Sequence, residues 1–186
     1  MKPVGGFVRL SHVEVDPPLS EFCASEWPRL VGSLALYTGD RDLAEELAQE
    51  TLVRVCLHWA QVRDTASPSA WAHRVAFNLA KSQFRRRRAW DRIGRLQVSE
   101  PSGWEPDTAS HLAVREAIGR LPEVQREVLV LRYFADLSVR DVSALMGCPT
   151  NTVKTHTRRA LESLREAGLG SDPPADCTPL AWEGRS

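Results

Sequence analysis

The chain has 186 residues, of which 42% are hydrophobic and 26% charged, and its formal net charge is zero. These values are typical of a soluble globular protein. No apolar run approaches the roughly 18–20 residues that span a bilayer, and the N-terminus lacks the charged-then-apolar pattern of an export signal. The sequence therefore predicts a cytoplasmic protein without membrane insertion.

Proline, glycine and polar residues divide the chain into two predicted helical domains. Residues 1–18 end in a Pro-Pro pair and are expected to form a disordered tail, and residues 97–109 are expected to form a flexible linker. Residues 168–186 are predicted to be a second disordered tail. Neither remaining block, 19–96 or 110–167, shows the alternating pattern of strands, so the prediction is an all-α protein with two small domains.

The first domain is expected to contain helices over about 20–37 and about 40–60, and a third from Pro68 into a run of arginines. The second helix has an apolar ladder on one side. Its other side carries an acidic stripe with spacings of three and four residues, which is either an ordinary solvated face or a docking site for a basic protein surface. The acidic stripe consists of Asp42, Glu45, Glu46, Gln49 and Glu50.

Cations alternate with an aromatic residue and an amide along one face of the third helix. Bases can stack on aromatic rings while Lys and Arg hold the backbone, so this pattern is typical of a surface for single-stranded or partly opened nucleic acid. Phe77 lies close to this face, and the alternative is that Trp71 and Phe77 are buried in the core. Four adjacent arginines at 85–88 repel one another unless a phosphate partner neutralises them. The predicted contacts are Trp71, Arg74, Asn78, Lys81, Arg85, Arg86 and Arg88.

The second domain is predicted to contain a helix-turn-helix. Two helices, over about 110–120 and about 122–133, precede a short one that begins after Ser138. Asp141 is placed three residues after this serine, as in a capping box. Gly147 is placed to end the short helix in a left-handed conformation.

The last helix of the motif has a polar and basic outer face. Thr150 is expected to cap this helix after Pro149. Arg, Asn, Lys and Thr near the start of such a helix contact bases and phosphates in the major groove. The alternative is a solvated helix in an ordinary bundle. The predicted contacts are Thr150, Asn151, Thr152, Lys154, Thr155, Arg158 and Arg159.

The cysteines and histidines do not suggest catalysis or metal binding. No two of the four cysteines have C-x-x-C spacing. Cys23, Cys56 and Cys148 fall in or beside apolar helical patterns and are predicted to be small core residues. The histidines form no convincing triad, and there is no Gly-rich phosphate loop. We therefore expect no enzyme activity, no catalytic residue, no metal and no cofactor.

Three segments, in the family's order, resemble the sigma-70 family. They are GDRDLAEELAQETLVRVCLHW, PSAWAHRVAFNLAKSQFRRRR and LPEVQREVLVLRYFADLSVRDVSALMGCPTNTVKTHTRRALESLRE. More narrowly, the chain is similar to the small two-domain extracytoplasmic-function (group IV) sigma factors, of the actinobacterial SigE-like type. The resemblance covers about residues 20–167, and it implies a region 2 bundle at 19–96 and a region 4 helix-turn-helix at 110–167.

The resemblance implies a partner for each predicted surface. The acidic stripe would bind the clamp helices of the RNA polymerase β′ subunit, and the second domain would hold the β flap. The Trp71–Arg88 face would meet the minus-ten promoter element, where a flipped base is read near residues 63–69 and by Asn78. The last helix would bind the minus-35 element, although His156 and Thr157 depart from the family's usual residues. An anti-sigma factor is a further partner that is common in the family.

These observations predict an RNA polymerase sigma factor that directs promoter-specific transcription initiation. The alternative is a stand-alone transcriptional regulator, because TVKTH at 152–156 also resembles the output helix of LuxR-type activators. The first domain argues against that alternative, since a receiver domain needs alternating strands and a phosphoacceptor Asp.

Overall fold

A computed structural model describes residues 17–92 and 109–169, and all regular elements in these two ranges are helices. The prediction of an all-α fold is confirmed. None of the described helices is long and apolar enough to cross a membrane. Residues 1–16 and 170–186 of the predicted tails, and residues 97–108 of the predicted linker, lie outside the described residues. Pro17 and Pro18, which were expected to end the first tail, instead begin the first helix, and Ala109 of the expected linker begins a later one. The helices are α1 (Pro17–Thr38), α2 (Arg41–Leu57), α3 (Trp59–Val62), α4 (Pro68–Arg92), α5 (Ala109–Arg120), α6 (Glu123–Tyr133), α7 (Val139–Met146) and α8 (Thr150–Glu166).

In the N-terminal domain, α1, α2 and α4 pack against one another. The carboxylate of Asp40 caps α2 by accepting a hydrogen bond from the Leu43 N–H at 3.0 Å. The predicted apolar ladder is buried as far as Val55 except at Leu52, which is half-buried, and Cys56 is exposed. Consecutive helical residues differ by about 100° around the axis, so Cys56 turns out of the core that Val55 enters. The prediction that Cys56 is a core residue is therefore wrong.

In the C-terminal domain, α6, α7 and α8 form the predicted helix-turn-helix unit. The capping box is confirmed, because Ser138 Oγ accepts from the Asp141 N–H at 3.1 Å and Asp141 Oδ2 accepts from the Ser138 N–H at 3.3 Å. Gly147 ends α7 in the left-handed region, with φ of 65°. The predicted cap of α8 is wrong. Pro149 has the extended backbone of an N-cap, and Thr150 is already the first helical residue, with no side-chain cap.

A single apolar core extends across both domains. Tyr37, near the end of α1, is fully buried in this core. The centroid of its ring lies 4.9 Å from that of Phe77 and 5.6 Å from that of Phe84. Aromatic pairs at this separation stabilise a core beyond the area they bury. The C-terminal domain contributes buried side chains that include Ile118, Leu121, Val128, Leu131 and Val142.

Polar contacts complete the junction between the domains. The Tyr37 hydroxyl donates to Glu123 Oε1 at 3.3 Å, and its backbone carbonyl accepts from Arg126 Nη1 at 3.2 Å. In the reverse direction, Arg29 Nη2 of the N-terminal domain donates to the Ala135 carbonyl of the C-terminal domain at 2.7 Å. Each guanidinium thus satisfies a backbone carbonyl of the other domain, which fixes the orientation of the two domains.

Lys81 and Glu127 form an ion pair between the domains, with Nζ 2.5 Å from Oε1. Glu127 is 3% exposed. Burial raises the pKa of its carboxyl above the ordinary value, and the ammonium of Lys81 opposes that shift. Since a buried carboxylate is costly even when it is paired, protonation of Glu127 favours the packed arrangement of the domains.

We expect Arg126→Ala to lower the free energy of unfolding by about 1–3 kcal/mol, because buried carbonyls lose a charged donor. Arg126 also donates to the carbonyls of Gly119 at 2.5 Å and Leu121 at 3.2 Å. Urea denaturation measures the change. The matched control is Arg120→Ala, whose side chain is 76% exposed and pairs with Glu116. The control should cost less than about 1 kcal/mol, and equal losses would contradict this role for Arg126.

We expect Glu127→Gln to change how stability depends on pH. The folded-state pKa of Glu127 is raised above 4.5, its ordinary value. The wild-type protein therefore loses stability relative to the variant as the pH rises from that value through the raised pKa. Urea denaturation of both proteins across this interval measures the difference. A wild type that gains stability relative to the variant would show that the pKa is lowered instead.

Candidate functional site

The acidic stripe lies on the exposed side of α2, opposite its buried ladder. Four of its five side chains are exposed and Glu45 is half-buried. Glu45 pairs with Arg41, and Glu50 pairs with Arg54, each at 2.9 Å. Exposed pairs at this spacing hold their side chains only weakly, so a basic partner can replace the cation. The arrangement therefore suits a positively charged protein surface.

The exposed side of α2 changes from acidic to apolar towards its C-terminal end. Val53 is 54% exposed and Leu57 is 75% exposed. A groove between α2 and α4 runs beside the stripe, and Glu46, Glu50 and Arg86 are among the residues that line it. This end of α2 thus adds exposed apolar side chains to the carboxylates of the acidic stripe.

The two aromatic residues of α4 have different environments. Phe77 is fully buried against Tyr37, so its predicted place beside a nucleic-acid face is wrong and the alternative of core burial is correct. Trp71 is half-buried, and its ring centroid lies 6.4 Å from that of His58. Of the two, only Trp71 retains a ring surface that a base could reach.

Two predicted cations of α4 contact the C-terminal domain. Arg74 Nη2 donates to the Ala144 carbonyl of α7 at 2.5 Å. Lys81 is paired with Glu127 of α6. Asn78, which is exposed, lies between these two positions on the same helical face. This stretch of the predicted nucleic-acid face is therefore turned towards the other domain.

The arginine run continues beyond this contact. Arg85 and Arg86 are exposed, and the side chain of Arg88 lies outside those described. Arg87 reaches Asp40 at 3.8 Å. The C-terminal half of α4 thus presents guanidinium groups away from the junction, where they can contact phosphates.

A buried polar cluster supports the segment that precedes α4. Glu26 is 3% exposed, and its carboxylate accepts from Arg29 at 3.2 Å and from the Ser69 hydroxyl at 3.0 Å. Burial lowers the pKa of His73, so its imidazole is neutral at pH 7 and Nδ1 donates to the Ser69 carbonyl at 3.0 Å. The cluster fixes Ser69 and the first turns of α4 against α1.

The outer face of α8 is largely exposed. Val153 and Ala160 are buried, and Leu161 and Leu164 pack against the core. Arg158 pairs with Glu162 at 2.9 Å. Because α8 packs through one side on α6 and α7, its basic side is presented outwards, as in a helix that enters a major groove. The predicted contacts that are exposed are Thr150, Asn151, Lys154, Thr155, Arg158 and Arg159.

Thr152 differs from the other predicted contacts of α8. It is half-buried and, with His156, lines a cavity of about 460 Å³ that also includes Lys81 and Glu127. His156, which departs from the family pattern, therefore faces the junction between the domains. Thr157 donates its hydroxyl to the Val153 carbonyl at 2.8 Å, a contact within the helix.

The structure thus brings Arg74, Lys81 and Thr152 to the junction and leaves the acidic stripe and most of α8 exposed. Sequence reasoning did not identify Tyr37, Arg126 or Glu127 as residues that join the domains. The one available signal was that Glu127 directly precedes the apolar run at 128–131. No set of three or more His, Cys, Asp or Glu residues within 17–92 and 109–169 is placed to hold a metal ion.

Comparison with known proteins agrees with this architecture. Residues 24–90 match the family described as sigma-70 region 2, and residues 111–164 match sigma-70 region 4. The chain is 30% identical over 130 residues to the ECF RNA polymerase sigma factor EcfG of Rhodopseudomonas palustris, which covers 68% of this chain and 72% of that protein. It is 31% identical over 134 residues to the ECF RNA polymerase sigma factor SigL of Mycobacterium tuberculosis, which covers 69% and 76% respectively.

A solved structure shares the arrangement of helices. The sigma factor RpoE of Bartonella quintana, determined in complex with the anti-sigma factor NepR, superposes with a TM-score of 0.68 at 22% identity. The match covers 83% of this chain and 99% of RpoE. Both sigma-70 regions are thus present in order, on the fold of a known sigma factor and with relatives at 30% identity. The chain belongs to the ECF RNA polymerase sigma factors of the sigma-70 family.

Proposed function

We propose that this sigma factor binds core RNA polymerase through the acidic stripe and promoter DNA through α4 and α8. The observation that carries the proposal is an exposed acidic face on α2 together with exposed basic side chains on α4 and α8. A protein that exposes both acidic and basic surfaces can bind a basic protein and a polyanion together. In this role the chain supplies recognition, has no catalytic activity of its own, and acts in the cytoplasm.

Two features support core polymerase as the protein partner. On α2, the exposed Val53 and Leu57 would add apolar contacts to an electrostatic attachment of the β′ clamp helices. On the C-terminal domain, Tyr133 and Phe134 are 56% and 43% exposed and would form an apolar site for the β flap. Exposed aromatic side chains are enriched at protein interfaces.

The two basic faces are assigned to the two promoter elements. Asn151, Thr155 and Arg158 near the start of α8 would contact the minus-35 element in the major groove. The α4 face would hold the non-template strand of the minus-ten element, with Trp71 as its stacking surface and Arg85 and Arg86 as its phosphate contacts.

Binding of both elements would require the domains to separate. Arg74, Lys81 and Thr152 belong to the proposed DNA contacts, and all three lie at the junction between the domains. The packed arrangement is thus proposed as the state without DNA, and attachment to polymerase would stabilise the separated one. An anti-sigma factor is a further proposed partner, supported by the similarity to RpoE, which was solved bound to NepR.

We also propose a type within the ECF sigma factors, the actinobacterial SigE-like type. The identity with SigL of Mycobacterium tuberculosis supports the actinobacterial SigE-like type. EcfG of Rhodopseudomonas palustris is similar at nearly the same identity, so identity alone does not distinguish the two types. Run-off assays on promoters of each type would distinguish them, and a preference for promoters of the SigE-like type would support the proposal.

Run-off transcription with purified core polymerase tests the proposed function. The complex of this protein with core polymerase is first used to select promoter fragments from a randomised DNA library. On these fragments we expect a transcript that depends on both the added protein and the promoter. The protein alone should bind the same fragments poorly. Tight footprints by the protein alone, with no promoter-dependent transcript, would support a stand-alone regulator instead.

Reversal of charge in the acidic stripe should abolish polymerase binding. We expect Glu46→Lys with Glu50→Lys to weaken core binding at least about tenfold, because two attractive contacts become repulsive. The fold should be unchanged, since both side chains are exposed. The matched control is Glu116→Lys on α5, which should bind as the wild type does. Unchanged binding by the double variant, measured by native gel or fluorescence anisotropy, would exclude the stripe as the docking site.

Asn151→Ala should weaken minus-35 recognition without affecting assembly with polymerase. The loss of one bidentate contact to a base corresponds to about 1–3 kcal/mol, so we expect roughly a tenfold or larger loss of transcript. Arg165→Ala, near the other end of α8, is the control and should retain full activity. An Asn151 variant with normal transcription from all selected fragments would remove this residue from the reading face.

A further inference from the structure

A buried carboxylate of α1 contacts the first turns of α4. Glu26 is 3% exposed, and its Oε2 atom accepts from the Ser69 hydroxyl of α4 at 3.0 Å. The same oxygen lies 3.7 Å from Nδ1 of His73, whose side chain is fully buried. Ser69 and His73 are four residues apart, so they lie on one face of α4. One side chain of α1 therefore meets two successive turns of α4.

The second oxygen of this carboxylate is paired within α1. Arg29 Nη1 donates to Glu26 Oε1 at 3.2 Å, one turn along the same helix. One oxygen of Glu26 thus binds α1 and the other faces α4. The hydrogen bond from Ser69 is therefore the link by which this carboxylate holds α4.

Stability alone does not account for polar groups at this place. A buried ion pair is often no more stabilising than apolar side chains of similar volume. His73 adds a further cost, because its Nε2 atom is buried without a hydrogen-bond partner among the described residues. Directed hydrogen bonds inside a core do, however, specify one arrangement of the elements that they join. The cluster therefore suits a role in fixing the position of α4.

The anchored turns of α4 carry Trp71. In the chain, the two residues that meet Glu26 stand two positions before and two positions after this tryptophan. The start of the helix is fixed as well, because Ser67 Oγ accepts from the Ala70 N–H and the Ser67 carbonyl accepts from the Trp71 N–H, each at 3.1 Å. The half-buried ring of Trp71 is the stacking surface proposed above for the minus-ten strand. Its position thus depends on the turns that Glu26 holds.

We infer that Glu26 is a positioning residue for minus-ten recognition, which holds the first turns of α4 so that Trp71 can stack on an unpaired base. Glu26 acts through α4 and does not touch DNA, since its side chain is buried. The inference rests on the proposed function, in which α4 holds the opened strand. Supporting contacts must keep the groups of a binding site within about 0.5 Å of their productive positions, so loss of this anchor should weaken stacking.

Capture of single-stranded DNA by the assembled complex tests the inference. Wild-type protein and variants are each assembled with purified core polymerase, and DNA binding is measured by fluorescence anisotropy. One probe is a single-stranded oligonucleotide with the selected non-template minus-ten sequence, and the other is a duplex with the minus-35 element alone. We expect Glu26→Ala to weaken binding of the single strand at least about fivefold, the loss of one stacked base. Binding of the duplex and of core polymerase should be unchanged.

Further variants isolate the hydrogen bond between the helices. Glu26→Gln keeps an oxygen that accepts from the Ser69 hydroxyl, so we expect it to bind the single strand within about twofold of the wild type. Ser69→Ala removes the donor and should reproduce the loss seen with Glu26→Ala. The double variant should lose no more than either single variant, because both remove the same contact. Glu21→Ala, at an exposed position of α1, is the control and should bind as the wild type does.

Three results would overturn the inference and leave the proposed function intact. They are normal capture of the single strand by Glu26→Ala, equal losses for both DNA probes and core polymerase, and additive losses in the double variant, which would make Ser69 a direct DNA contact. A wild-type complex that does not bind the single strand would instead overturn the proposed function as well. If Glu26→Ala does not fold, Ser69→Ala tests the same link, because it leaves the carboxylate paired with Arg29.

Discussion

The contact of Tyr37 with the C-terminal domain is the interaction on which the arrangement of this molecule depends. Its ring packs against Phe77 and Phe84, its hydroxyl donates to Glu123, and its carbonyl accepts from Arg126. Burial raises the pKa of the phenol, which therefore remains a protonated donor. One residue near the end of α1 thus joins the aromatic core of the first domain to the polar surface of α6, and the two domains share a single core.

This packing divides the surfaces of the protein into two classes. The acidic stripe on α2 and most of α8 face away from the junction, whereas Arg74 and Lys81 of α4 are engaged with α7 and α6. Under the proposed function, the surface for polymerase is available in the packed state and part of the surface for DNA is covered. Binding energy from polymerase would then offset the loss of the shared core, and DNA recognition would follow assembly. The buried Glu127 makes the junction weaker when it is ionised, since its pKa is raised.

Features set by neighbouring residues could be predicted from the sequence, and features set by distant contacts could not. The capping box at Ser138 and Asp141 and the left-handed Gly147 follow from local spacing, and both are present. The predictions for Cys56 and Phe77 are wrong because a helical pattern gives the period of buried residues but not where the buried face of the helix ends. The junction was missed because Lys81 and Glu127 are charged residues that would each be solvated in an isolated domain. Nothing in the sequence around Lys81 identifies the sequence around Glu127 as its partner, or the reverse.

The distance between the domains, before and after polymerase binds, tests the central claim most directly. Spin labels on non-natural amino acids at Asp64 and Glu166, which are exposed residues of the two domains, leave the four cysteines unchanged. We expect one narrow, short distance distribution in the free protein, because the shared core holds the domains together. Addition of core polymerase should replace it with a longer distance. An unchanged distribution in an active complex would contradict the account.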